Sequence, residues 1–317
     1  MTSFAECGLA IGHSTDVEGA TGCTVIRADR GPFRCGVSVV GRATGTRELA
    51  LLDATHLVDR VDAILLAGGS AYGLDAAAGV MRWMEERSRG FDVGDGVVPI
   101  VPAAVLFDLG PLGRFDARPT PEMAYAACES ASLGDVPEGA VGAGTGATVG
   151  KVIGPAHAMK GGIGCGAADA GQIRVRALAA VNALGDVRDG VGRIVAGARR
   201  ADGTWLDSAA WLASGAGEAE QFGTLAARST TLCVVATNAA LDRASLGALA
   251  RAASAALYRR ITPVGTPFDG DVVFATAPLN DGVVASMAQL EVLAVLALER
   301  AIERGVRARV PGEVIPS

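Results

Sequence analysis

Residues 63–67 (AILLA) carry no polar side chain, run directly into Gly68-Gly69-Ser70, and are followed over residues 71–87 by a pattern suited to a long helix. A strand that is apolar on both faces must be covered on both faces. The unit therefore reads as a βα step of an α/β protein. Residues 23–27 and 36–40 read as further short strands, and residues 47–58 have helical composition with Leu49, Leu52 and Leu57 on one side. Thr120 as N-cap, Pro121 in the first helical position and Glu122 in the first turn announce a helix that runs to about Ser132. Residues 174–182 and 194–196 complete the strands of this part.

A second constraint lies near the C-terminus. Residues 213–229 (ASGAGEAEQFGTLAARS) are small, polar and aperiodic, the best linker candidate in the chain, and residues 231–237 (TLCVVAT) then begin an abrupt strand signal. A helix from N-cap Asp242 to about Arg260, a strand over 272–276 and a helix from about Val284 to Arg304 follow, giving a β-α-β-α block. Between Gly139 and Gly166 the chain is dense in glycine, which implies tight turns or close approach of the backbone to something.

Composition excludes several classes. In 317 residues, 50% are hydrophobic, so the chain can fill a core and is not disordered. A net charge of -6 without a basic block argues against a nucleic-acid binder. The apolar run 292–298 is far short of the roughly 20 residues of a membrane span. Six Cys without a CxxC pair, and a start without the basic and apolar regions of a signal peptide, lead to the expectation of a reduced, cytoplasmic chain.

The turn Ala67-Gly68-Gly69-Ser70-Ala71-Tyr72-Gly73 invites a phosphate-binding reading but lacks the Lys-Ser/Thr of a P-loop, the GxGxxG spacing and the GxSxG elbow. The three His, at 13, 56 and 157, are scattered. Ser229-Thr230 is more informative, because a hydroxyl residue stands between a linker and a strand. If the bond between them were cut, Thr230 would carry a nucleophilic Oγ and an α-amine titrating near about 7.7–8.0, able to act as its own general base. Only two Lys (151 and 160) and three Asn (182, 238 and 280) occur in the chain, so each draws attention.

Several separated segments, in order, resemble the self-processing DmpA-like aminopeptidases, peptidase family S58, which include β-peptidyl aminopeptidases and the nylon-oligomer (6-aminohexanoate) endo-amidases. They are GHSTDVEGATGCTVI (12–26), LLAGGSAYGLDAAA (65–78), AGTGATVGKV (143–152), the segment 230–238 and FDGDVVF (268–274). The resemblance implies a four-layer αββα sandwich of the DmpA/ornithine acetyltransferase-like type, an N-terminal-nucleophile hydrolase. It implies cleavage between Ser229 and Thr230, an α subunit of 1–229 and a β subunit of 230–317 that form one fold. It places the nucleophile at Thr230, a functional Lys at Lys151, an oxyanion donor at Asn182 and a carboxylate pair at Asp269 and Asp271.

The nylon-oligomer branch has a Tyr where this chain has Phe107, so that phenolic donor is missing. Phe107 and Tyr72 are the expected substrate-pocket side chains. The expected substrate is a small peptide or amide oligomer, cleaved without metal or organic cofactor, with no nucleic-acid or membrane partner. The expected assembly is a homo-oligomer of αβ units, for example a tetramer. An aminopeptidase is the leading expectation; a nylon-oligomer endo-amidase, an acyltransferase of the ornithine acetyltransferase type and a non-catalytic nucleotide-binding module are the alternatives.

Overall fold

The computed structural model describes residues 2–215 and 229–307. Ten strands build two five-stranded sheets: β1 (Leu9–Asp16), β2 (Thr21–Ala28), β3 (Phe33–Val39), β4 (Gly45–Arg47), β5 (Ala63–Ala67), β6 (Ala103–Val105), β7 (Gly162–Ala170), β8 (Ile173–Asn182), β9 (Thr230–Thr237) and β10 (Val272–Pro278). The first sheet has the order β1-β2-β5-β6-β4 and the second β7-β8-β9-β10-β3. Pairing is antiparallel except for β5 with β6 and β9 with β10. The helices are α1 (Ala77–Glu85), α2 (Pro121–Ser130), α3 (Ser208–Ala213), α4 (Arg243–Ala253), α5 (Ala255–Arg260) and α6 (Met287–Arg307).

Alternation along each strand creates three apolar layers from two sheets. In β9, Leu232, Val234 and Ala236 face Ile26, Ile64 and Leu66 of the first sheet, while Cys233 and Val235 face the helices α4 and α6. In β5, Ile64 and Leu66 enter the layer between the sheets, while Ala63, Leu65 and Ala67 pack under α1 and α2. The result is the αββα sandwich. Its period-2 burial on both faces explains why residues 63–67 and 231–237 carry no charge.

Two readings need correction. Residues 47–58 do not form an α-helix; β4 is followed by a 3₁₀ turn at Leu49–Leu52, and Leu57 is 90% exposed. Glu48 sits at φ 57, and the Asp53 carboxylate accepts from both Thr55 N–H and Oγ, so local side-chain bonding wins over helix propagation. The helix expected from Ala71 begins as a 3₁₀ stretch, Ser70–Ala76, before α1. Within the glycine-dense region, residues 162–170 form the strand β7.

There the glycines serve close approach. A Cβ on Gly164 would stand 2.1 Å from Gly305 N, and one on Gly166 2.0 Å from Ala297 O, both in α6. The linker expected at residues 213–229 falls on 216–228, outside the described residues, and α3, capped by Asp207, ends where it begins. The C-terminal β-α-β-α order holds, with the helix after β9 broken at Ser254 into α4 and α5.

Candidate active site

Sheet register assembles the site from residues far apart in sequence. Asn182 ends β8 and pairs with Thr230, which begins β9. The parallel register of Leu232 with Val272 continues outward as a bridge between Ser229 and Asp269, so the Asp269-Gly270-Asp271 segment lies alongside Ser229-Thr230. From the other side, Arg42 and Ala43 N–H donate to Asp269 O, and Val40 and Gly41 N–H to Asp271 O. Gly41 is needed at this crossing, since a Cβ there would lie 2.2 Å from Asp269 O.

Lys151 arrives from the glycine-dense loop. Its main chain is tied down by Gly150 N–H to Gly185 O and Lys151 N–H to Leu184 O, at 3.1 and 2.9 Å. Gly150 adopts φ 74 against residues 197–198, where a Cβ would be 2.0 Å from Ala198 N. The buried ammonium of Lys151 then donates to Asn182 Oδ1 at 2.7 Å and Asn182 O at 2.9 Å. Asn182 Oδ1 also accepts from Thr148 N–H, while its Nδ2 donates to Phe107 O at 3.1 Å. Asn182 is thus beside Thr230, and its Nδ2 is directed at Phe107 O.

Ser229, Thr230, Asp269 and Asp271 are all buried. Thr230 Oγ donates to Ser229 O at 2.6 Å, and the same oxygen accepts from Gly270 N–H at 2.8 Å. Asp271 accepts from Thr231 N–H at 2.6 Å and from Gly265 N–H at 3.3 Å; Asp269 accepts from Thr266 N–H and Oγ. Burial, and next the neighbouring Asp269, push Asp271 up to about 7. Asp269 is also raised by burial, against hydrogen bonds from Thr266 and the positive charge of Lys151. Two close carboxylates in one dry site share protons rather than both ionising, and a new cation beside them is strongly favoured.

Of the two pocket residues, Phe107 reaches the site through its carbonyl, whereas Tyr72 is half exposed and stacks under Arg118 at 3.5 Å from the ring centroid. The described contacts of Tyr72 do not link it to Thr230. Two features lie beyond sequence reasoning, one within the site and one beside it. Gly270 stands in an Asp-Gly-Asp segment with the composition of a turn, and only the sheet register reveals its N–H on the Ser229 carbonyl. Asp108 is buried beside Phe107, accepts from Gly69 N–H at 2.7 Å and Thr21 Oγ at 2.8 Å, and burial pushes it up to about 6. Its signal was a lone Asp closing an apolar run. The Gly69 N–H that a phosphate would need is engaged by that carboxylate, which weakens the nucleotide-binding alternative.

The family model described as peptidase family S58 matches residues 7–309. A protein of Mycobacterium tuberculosis (strain ATCC 25618 / H37Rv), named an uncharacterized aminopeptidase, is 42% identical over 299 residues, covering 87% of this chain and 81% of its own. A 6-aminohexanoate-oligomer endohydrolase of Agromyces sp. (strain KY5R) is 33% identical over 281 residues, covering 87% and 74%. Among solved structures, the L-aminopeptidase D-Ala-esterase/amidase of Ochrobactrum anthropi, described as a variant of the Ntn hydrolase fold, superposes with a TM-score of 0.69 at 19% identity, covering 94% of this chain and 83% of its own. A Burkholderia sp. beta-aminopeptidase gives a TM-score of 0.66 at 20% identity, covering 94% and 84%.

Proposed function

This chain belongs to peptidase family S58 and is a hydrolase of peptide or amide bonds; from that premise we propose that it cuts itself before Thr230 and then uses Thr230 as an N-terminal nucleophile, acting as an aminopeptidase. The observation that carries the reading is the 2.6 Å hydrogen bond from Thr230 Oγ to the carbonyl of the residue before it, inside a buried site. A nucleophile is held against the one peptide bond whose rupture would give it a free amine.

In the first stage Thr230 Oγ adds to the Ser229 carbonyl carbon. Its proton goes to the Thr230 nitrogen as the C–N bond breaks, leaving an ester. Water hydrolyses the ester, which yields the Ser229 carboxylate and restores the Thr230 hydroxyl. The freed α-amine, titrating near about 7.7–8.0 when unperturbed, now serves as general base. Asp269 and Asp271 hold its ammonium form and order it. In the second stage Oγ attacks a substrate amide, the amine relays the proton to the leaving nitrogen, and water releases the acyl group. Lys151, fixed on Asn182, sets the charge facing Asp269. Cleavage divides the 317 residues into subunits of 229 and 88.

The 33% identical endohydrolase favours one second reading, internal cleavage of amide oligomers. Purified protein offered a free tripeptide amide and its N-acetylated form separates the two: an aminopeptidase cuts only the free form, an endo-amidase cuts both. Acid quenching should trap the acyl group on the fragment that starts at Thr230. An adduct on any other fragment would overturn the assignment of the nucleophile, and transfer of the acyl group to an added amine in preference to water would make the chain an acyltransferase.

A further inference from the structure

We propose that the main-chain N–H of Gly270 is an oxyanion donor for precursor cleavage. The inference rests on the self-processing reading above. Three observations lead to it. Ser229 O accepts Gly270 N–H at 2.8 Å while Thr230 Oγ stands 2.6 Å from the same oxygen, so donor and nucleophile already meet at one carbonyl. Asn182, paired with Thr230, has its Nδ2 on Phe107 O and its Oδ1 receiving Lys151 and Thr148, so the donor seen on the Ser229 carbonyl is the main chain of Gly270. Lastly, Gly270 is packed against the nucleophile itself: a Cβ would lie 2.7 Å from Thr230 Oγ and 2.7 Å from Ala43 O.

The chemistry fits the geometry. As Oγ bonds to the carbonyl carbon, the π electrons move to Ser229 O, and a donor preorganised on that oxygen is worth most in a site closed to water. A main-chain donor set by the parallel bridge from Ser229 to Asp269 cannot swing away as a side chain can. The glycine between two aspartates therefore has a reason of its own: the position must supply an N–H and no side chain. The same bridge couples the donor to Asp269 and Asp271, because displacing the loop that carries the carboxylates would also displace the N–H.

The experiment replaces Gly270 by glycolic acid in the full-length chain, which turns the 269–270 amide into an ester and deletes the N–H while adding no atom that could clash. The expected result is correctly folded precursor whose self-cleavage is on the order of 10²–10³ slower than wild type. Gly270→Ala, read alongside, should be blocked by contact with Thr230 Oγ. If the ester chain is cut at the wild-type rate, the Gly270 proposal is wrong while self-processing stands. If wild-type protein itself stays one chain, it is the self-processing reading that falls. A circular dichroism melt within a few degrees of wild type shows that the ester chain is folded; should it fail to fold, the same ester made in Thr230→Ser, with its own amide-linked parent as reference, carries the comparison.

Discussion

Among the buried carboxylates of the described residues, two sites lie near the two lysines, and they differ in what surrounds the acid. At the first, Asp269 and Asp271 lie beside Lys151, Asn182 and a threonine hydroxyl touching the preceding carbonyl. At the second, Asp108 binds Gly69 N–H and Thr21 Oγ and feels the charge of Lys160, whose ammonium is capped by the carbonyls of Gly144, Ala147 and Gly161. Both sites raise a carboxyl pKa through burial. A perturbed acid is therefore not what marks catalysis here. On the proposed reading the difference is the nucleophile: Asp108 ties the β2, β5 and β6 ends together through a turn, whereas the acid pair flanks Ser229-Thr230, where the threonine hydroxyl touches the preceding carbonyl.

The sharpest way to break that contrast is Thr230→Ala, which should leave a single chain and reduce amide hydrolysis on the order of 10⁶-fold, measured by denaturing gel and product release. Asp271→Asn should slow self-cleavage by roughly 10²–10⁴-fold, whereas Asp108→Asn should change it by less than about tenfold; equal effects on a cleavage time course would erase the distinction between the sites. Among the lysines, Lys151→Met should cost both cleavage rate and stability, since two Asn182 oxygens lose a buried donor. Lys160→Met should lower stability by about 1–3 kcal/mol in urea melts and leave the cleavage rate within a few-fold.

The smallest expected effect is in pH dependence. Asp108 is pushed up to about 6 from an ordinary 3.8 by burial, so the fold favours its protonated form. Its contribution to stability is fully present below about 3.8 and is lost as pH rises through about 6. Urea melts at pH 4.5 and 7.5 should show wild type losing roughly 1–3 kcal/mol more than Asp108→Asn over that interval; parallel losses would mean that Asp108 is not titrating there.

Of this site, Thr230 is legible from the junction of linker and strand, whereas Lys151, Asn182, Asp269 and Asp271 are legible only through the family resemblance; the sheet register supplies the physical reason they meet. Thr230 begins β9, Asn182 ends β8 and Asp271 precedes β10, so any sheet that pairs these strands brings them together. Gly270 was not legible, since its role is a main-chain donor created by register and glycine in a DGD segment has the composition of a turn. Asp108 was hidden for another reason: its hydroxyl partner, Thr21, is 87 residues away in sequence. β7 escaped notice because its glycines satisfy the approach of α6, a demand from the far side of a layer that local propensity does not express.

On the proposed reading, this chain makes its own active site by cutting before Thr230. Intact-mass measurement of purified full-length protein, followed from synthesis onward under denaturing conditions, tests it most directly. The expected result is conversion of one 317-residue species into chains of 229 and 88 residues, the shorter beginning at Thr230, with amide hydrolysis appearing in step. An uncut 317-residue chain that hydrolyses amides at full rate would contradict it.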